Sequence, residues 1–209
     1  MTATRLHAWI YDYLARIFDA GLEDLPDPPA AALSPEPISS AIDALRTAIA
    51  QSPRASVLAT HAHLFVVARG GIAAPPYASW YLDAALCGPA CEWVRQAYAT
   101  QGVECDPDAG EPPDYIGTEL EFMYFLARHE LAARSTGDDE ALHAVLEGES
   151  EFVLRHLAAW LPDFIASVRA ADPGPVYEAA VNLLDTLVRD DARRLSARDS
   201  KLIANGRRR

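Results

Sequence analysis

Residues 6–18 read LHAWIYDYLARIF. Leu6, Trp9, Ile10, Tyr13, Leu14, Ile17 and Phe18 recur at intervals of three and four, the spacing that makes one face of an α-helix apolar. Arg5, His7, Asp12 and Arg16 interrupt the run, so it lacks the unbroken apolar core of a secretory signal. No stretch approaches the roughly 20 apolar residues that a bilayer span requires. A cytoplasmic protein without stable membrane insertion is therefore expected, and Gly21 is the expected stop of this helix.

The same period continues outward. Ile38, Ile42, Leu45 and Ile49 share a face, Pro53 ends it, and a third helix is expected over about 54–67. A helix starts near Ser79 or Trp80, is interrupted at Gly88-Pro89, and is followed by another over about 89–101 with Cys91, Val94 and Tyr98 on one side. Asp114 reads as the N-cap of a further helix carrying Ile116, Leu120, Met123, Tyr124, Ala127 and Leu131. Beyond Gly137-Asp138 a long helix runs past Trp160, where Pro162 kinks or restarts it. The last helix turns Ala180, Leu184, Leu187 and Val188 inward. Three irregular stretches, 26–37, 69–79 and 103–114, separate these elements. No segment alternates with period two over a strand length. The fold class is all-α, a single-domain bundle of about seven to ten helices over 1–189, with a basic, flexible tail over 190–209.

Half of the 209 residues are hydrophobic, which excludes wholesale disorder. The formal charge is −12, unevenly spread. Residues 189–209 hold eight basic groups against three aspartates, leaving ten basic and twenty-seven acidic groups elsewhere, a net −17. Such a body disfavours nucleic acid as a partner and favours a basic one.

Three cysteines make no disulfide framework. Cys87 and Cys91 are four apart and Cys105 is a possible third ligand, but Gly88-Pro89 lies between the first two, and His61 and His63 sit on another segment. The expectation is no metal and no cofactor, the cysteines serving as small buried hydrophobes. A small helical metal-binding regulator or enzyme using Cys87, Cys91 and Cys105 stands as the alternative. No phosphate-binding glycine loop is present, and Ser79 lacks the glycines of a nucleophile elbow. Glu119 and Glu121, two apart on a helix, face different ways. Glu130 and Arg134 read as an i,i+4 pair on a solvated face. No catalytic residue is assigned, and the protein is not expected to be an enzyme.

Two stretches stand out. Pro75-Pro76-Tyr77-Ala78-Ser79-Trp80-Tyr81-Leu82 packs three aromatics and a hydroxyl at one helix entry. Glu111-Pro112-Pro113-Asp114-Tyr115-Ile116-Gly117-Thr118-Glu119 places acids and prolines at another. Together they describe a groove walled by aromatics and edged by carboxylates, suited to a peptide with arginines beside an apolar run.

At these residues the chain resembles the TorD/DmsD family of redox-enzyme maturation chaperones, to which the NarJ-type chaperones are related. Tyr77, Ser79 and Tyr81 match that family's Tyr-x-Ser-x-Tyr element. Glu111, Pro112, Asp114, Gly117, Glu119, Leu120, Phe122 and Met123 match its second element, with Tyr115 where the family usually has histidine. The resemblance implies a cytoplasmic, system-specific chaperone. Its partner would be the catalytic subunit of a molybdenum-cofactor oxidoreductase, bound through its twin-arginine signal peptide and in its apo form. Cofactor insertion would be assisted and export delayed, by a monomer or a domain-swapped homodimer. It also implies peptide-binding roles for Tyr77, Ser79, Trp80, Tyr81, Glu111, Pro112, Pro113, Asp114, Tyr115, Gly117 and Glu119. Of these, Glu111 and Asp114 are the guanidinium partners, the aromatics form the wall, and Pro112, Pro113 and Gly117 hold the loop.

Overall fold

The computed structural model describes residues 3–23, 25–26, 36–66, 71–106 and 110–206, with side chains to residue 198. Most of the proline-rich stretch 26–37 and the end of the basic tail lie outside the described residues. Among the described residues there are nine α-helices: α1 (Ala3–Phe18), α2 (Ile38–Gln51), α3 (Arg54–Phe65), α4 (Ala78–Asp83), α5 (Pro89–Thr100), α6 (Ile116–Thr136), α7 (Asp139–Glu151), α8 (Ala158–Ala170) and α9 (Gly174–Gly206). A π-helical segment, Phe152–Leu157, joins α7 to α8. The all-α expectation holds. No helix among the described residues is long and apolar enough to cross a membrane.

α1 packs along α6, α2 along α9, and α8 between α4 and α9. One apolar cluster draws side chains from every helix. The α1 stripe supplies Leu6, Ile10, Tyr13, Leu14, Ile17 and Phe18, all buried, while Trp9 is only half-buried and stacks on Tyr13. Burying each large apolar side chain contributes about 1.5–3 kcal/mol.

Several local expectations are corrected. The left-handed residue after α1 is Ala20 (φ 58°), not Gly21, which accepts some steric cost at a residue with a Cβ. That helix end is instead tied by tertiary contacts. Tyr115 Oη and His61 Nε2 both reach the Phe18 carbonyl, at 2.7 and 2.8 Å, and Tyr177 Oη reaches that of Ile17 at 3.3 Å. Pro162 lies inside α8, and the irregularity falls ahead of it rather than at it. The π-helical turns end at Leu157, so α8 begins at Ala158, the residue whose carbonyl a proline at 162 cannot engage. Glu130 is not on a solvated face: it is fully buried, and only its partner Arg134 reaches solvent.

The helix expected to break near 189 also continues. Asp191 and Leu195 are buried, and Arg194 reaches across to two other helices. Its guanidinium binds Glu149 (2.9 Å) on α7 and Asp191 (2.9 Å) on α9, with Glu130 of α6 at 3.8 Å. Asp191 in turn accepts from Tyr11 Oη (2.7 Å) and pairs with His7 Nδ1 (2.8 Å), both on α1. The residues counted as a tail by charge thus begin with a buried ionic hub joining α1, α6, α7 and α9. Amphipathic periodicity cannot register a charged residue turned inward toward opposite charge.

Arg194→Met should destabilise the protein by about 3–5 kcal/mol in urea unfolding, because buried carboxylates lose their compensating charge. The hub also makes stability depend on pH. Burial alone would lower the His7 pKa, but the hydrogen bond and charge of Asp191 outweigh it and raise the value above 6.5. A raised histidine contributes fully below about pH 6.5, and that contribution is lost as pH rises through the higher folded-state value. Unfolding free energies measured from pH 6 to 9 should therefore fall less steeply in His7→Gln than in the parent.

Candidate functional site

The two motif stretches meet through their backbones. Tyr77 and Tyr115 form an isolated antiparallel bridge, with Ala78 N–H donating to the Asp114 carbonyl (3.0 Å) and Ile116 N–H to that of Pro76 (2.9 Å). Prolines at 75, 76, 112 and 113 suit this extended pairing, since each holds φ near −65° and disfavours helix in the residue before it. The helix entries that follow, α4 at Ala78 and α6 at Ile116, therefore start side by side.

Asp114 does not cap α6, whose N-cap is Tyr115. Its Oδ2 instead accepts from Ser79 N–H (2.8 Å), capping α4 across the bridge. Asp114 and Ser79 are both fully buried, and Ser79 Oγ receives the Cys87 N–H at 2.9 Å. Asp114 therefore offers no exposed carboxylate to a ligand. Glu119 is likewise fully buried, accepting from His156 Nε2 (2.6 Å) and Trp160 Nε1 (3.1 Å). Burial pushes its carboxyl upward, against the lowering effect of His156. Tyr81 packs on Trp160 and Phe164 beneath α4, while Trp80 on the same helix stays about half exposed, as do Leu82 and Leu86.

Glu111, Pro113 and Tyr115 border a depression of about 520 Å³ between the end of α1, α5, α6 and the loop before α6. Tyr98, Tyr115, Phe122 and Phe125 supply its aromatic wall. Asp19, Glu104, Asp106, Glu111 and Glu121 supply carboxylates, and the described lining residues include no Lys, Arg or His. Glu111 is held by Tyr77 Oη (2.9 Å), and the loop is pinned by Tyr98 Oη on the Pro113 carbonyl (2.9 Å). Pro112 lines an adjoining depression shared with Cys87, Cys105 and Arg95. Burial, and then mutual repulsion with Asp19, raises the Glu121 carboxyl; burial likewise raises Asp19, with Glu111 adding to it.

Of the sequence candidates, Glu111, Pro113 and Tyr115 line the depression and Tyr77 braces its rim. Ser79, Asp114, Gly117 and Glu119 build the frame behind it. Asp19, Glu104, Asp106, Phe122 and Phe125 were not anticipated as lining residues. Thr118, Glu121, Phe122 and Phe125 follow i, i+3, i+4, i+7 along α6, so that face carried a readable signal. Asp19 and the 103–106 loop carried none, since only folding brings them there. Burial and the adjacent Asp19 push the Tyr115 phenol upward, so it remains a donor to the α1 end. The cysteine expectation also changes: the third donor near Cys87 and Cys91 is Asp114, not Cys105.

Gly117 is a close-approach position. A Cβ there would collide with the Asp19 carboxylate and lie 2.6 Å from Tyr115 Cε1. Gly117→Ala should cost about 1–3 kcal/mol in thermal or urea unfolding, since two fixed neighbours must shift.

Comparison with known proteins shows what the chain is similar to. The family model described as nitrate reductase delta subunit matches residues 32–166. A TorD chaperone of a Psychrobacter species is 30% identical over 196 residues, covering 92% of this chain and 81% of that protein. The TorD chaperone of Vibrio cholerae is 30% identical over 117 residues, 56% of this chain and 52% of its own length, so the chain spans about half of that relative. A chlorate reductase assembly chaperone of Ideonella dechloratans is 40% identical over 70 residues, 34% of this chain and 35% of that protein. The chain belongs to the nitrate reductase delta subunit family, which includes the TorD-type chaperones.

Proposed function

We propose that this chain is a system-specific maturation chaperone for a molybdenum-cofactor oxidoreductase. In this reading it holds the apo-subunit through an arginine-bearing leader until the cofactor is in place, and so delays export from the cytoplasm. It works by binding rather than by catalysis. The observation that carries the reading is the depression beside the paired motifs, where five carboxylates surround an aromatic wall without a basic side chain among the described lining residues. A guanidinium entering there meets charge-assisted hydrogen bonds and aromatic faces together. The exposed Trp80, Leu82 and Leu86 would take the apolar run that follows the arginines. The net −12 of the chain would speed encounter with a basic segment.

The family membership and the names of the relatives support a reductase-assembly role; the leader contact rests on the geometry. Asp114, first read as a guanidinium partner, is assigned here a positioning role, and Glu111 keeps the direct one. Glu121, Asp19, Glu104 and Asp106 join it.

Calorimetric titration with a synthetic peptide of two consecutive arginines followed by an apolar stretch tests this. Replacing both arginines by glutamine should weaken binding by at least about tenfold, the worth of one charge-assisted hydrogen bond. Glu111→Gln and Glu121→Gln should each weaken it about three- to tenfold without changing thermal stability much. Because burial raises the Asp19 and Glu121 carboxyls, they take up protons earlier than ordinary carboxylates as pH falls. Affinity should therefore decline on going from pH 7 toward pH 5. Equal affinity for the glutamine peptide would overturn the reading.

A further inference from the structure

Behind the paired motifs lies a cluster that the peptide reading does not use. Cys87 precedes α5, Cys91 lies in its first turn, and Asp114 belongs to the bridge before α6. One donor atom from each lies within 4.8 Å of the other two. Cys87 adopts a left-handed backbone (φ 56°), unusual for a side chain with a Cβ, with its N–H fixed on Ser79 Oγ. Its sulfur reaches 2.7 Å from that of Cys91. Asp114 is fully buried; Oδ2 is engaged by Ser79 N–H, whereas Oδ1 is buried without a hydrogen-bond partner. A buried carboxylate oxygen beside no stronger donor than the Cys91 thiol is costly and calls for a compensating positive group.

We propose that Cys87, Cys91 and Asp114 bind one divalent cation of the zinc class. Two thiolates with one carboxylate suit a borderline-soft ion, whereas calcium and magnesium require all-oxygen shells. On binding, both thiols release their protons to solvent and the carboxylate contributes its charge, so the site is −1 before and after. Zinc–sulfur bonds of about 2.3 Å in a tetrahedron place two sulfurs about 3.8 Å apart. Binding therefore requires the two sulfurs, now 2.7 Å apart, to separate to that spacing. Cys91 is buried and Cys87 is exposed, so Cys87 faces the entry route and leaves a fourth position for solvent. The ion clamps the start of α5 to the strand-like segment that holds both motifs.

The test uses the full chain, kept reduced with a phosphine, and titrated with Co²⁺ and with Zn²⁺ against a chromophoric chelator. The expected result is one ion per chain, a thiolate-to-cobalt charge-transfer band, tetrahedral visible bands and release of two protons. Cys87→Ser and Cys91→Ser should each remove the charge-transfer intensity and weaken binding by at least about tenfold. Asp114→Asn, which retains an acceptor for Ser79 N–H, should weaken zinc by a similar factor while circular dichroism stays unchanged. Cys105→Ser should bind normally. Absence of cobalt binding by the reduced folded chain, or a stoichiometric ion that survives Cys91→Ser, would overturn the proposal. So would Asp114→Asn binding with parental affinity. None of these readouts involves the leader peptide, so the two readings fail separately.

Discussion

The pairing of residues 76–78 with 114–116 is the constraint on which the rest of the site depends. Two backbone hydrogen bonds and the Asp114 carboxylate on Ser79 N–H join stretches almost forty residues apart in the chain. Because α4 and α6 leave from this bridge, its position decides which faces of both helices look outward. Tyr115 extends the same constraint to α1 by holding the Phe18 carbonyl, which places Asp19 and the N-terminal turn of α6 around one depression. Ser79 and Glu119 are buried and hydrogen-bonded inward, and their chemical value lies in geometry rather than in contact with a peptide.

The acidic surplus serves two separate ends. Asp191, Glu130 and Glu149 are buried around Arg194, and Glu119 is buried against His156 and Trp160. Those charges tie helices together and contribute little field outside. Asp19, Glu104, Asp106, Glu111 and Glu121 border the depression with no basic side chain among the described lining residues. Raised carboxyls at Asp19 and Glu121 reflect burial first, then repulsion from neighbouring acids (Glu111 on Asp19, Asp19 and Asp12 on Glu121), a state that an incoming cation relieves. A charge total cannot separate these two populations, since both contribute equally to −12.

The helices were legible because apolar spacing reports burial directly: the α1 stripe is buried almost as read, with Trp9 alone half-buried. What misled was local chemistry judged without partners. Asp114 has the side chain of an N-cap and does cap a helix, but α4 rather than α6. Glu130 and Arg134 have the spacing of a surface pair, yet α7 and α9 cover the acid. Cys105 follows its fellow cysteines in sequence, while the bridge brings Asp114 to them instead. The basic end of the chain looked like a tail because its charges dominate its composition, although Arg194 is neutralised by acids from other helices.

The sequence by itself determined the all-α class, the approximate helix limits and the two motif stretches, since each depends on periodicity, proline or capping chemistry within a few residues. Tertiary structure alone decided which motif side chains face outward, which acids are compensated and which donors converge on the two cysteines. The physical reason is that burial, charge pairing and ligand geometry are relations between segments. A residue's own type and its near neighbours do not specify what the fold will bring against it.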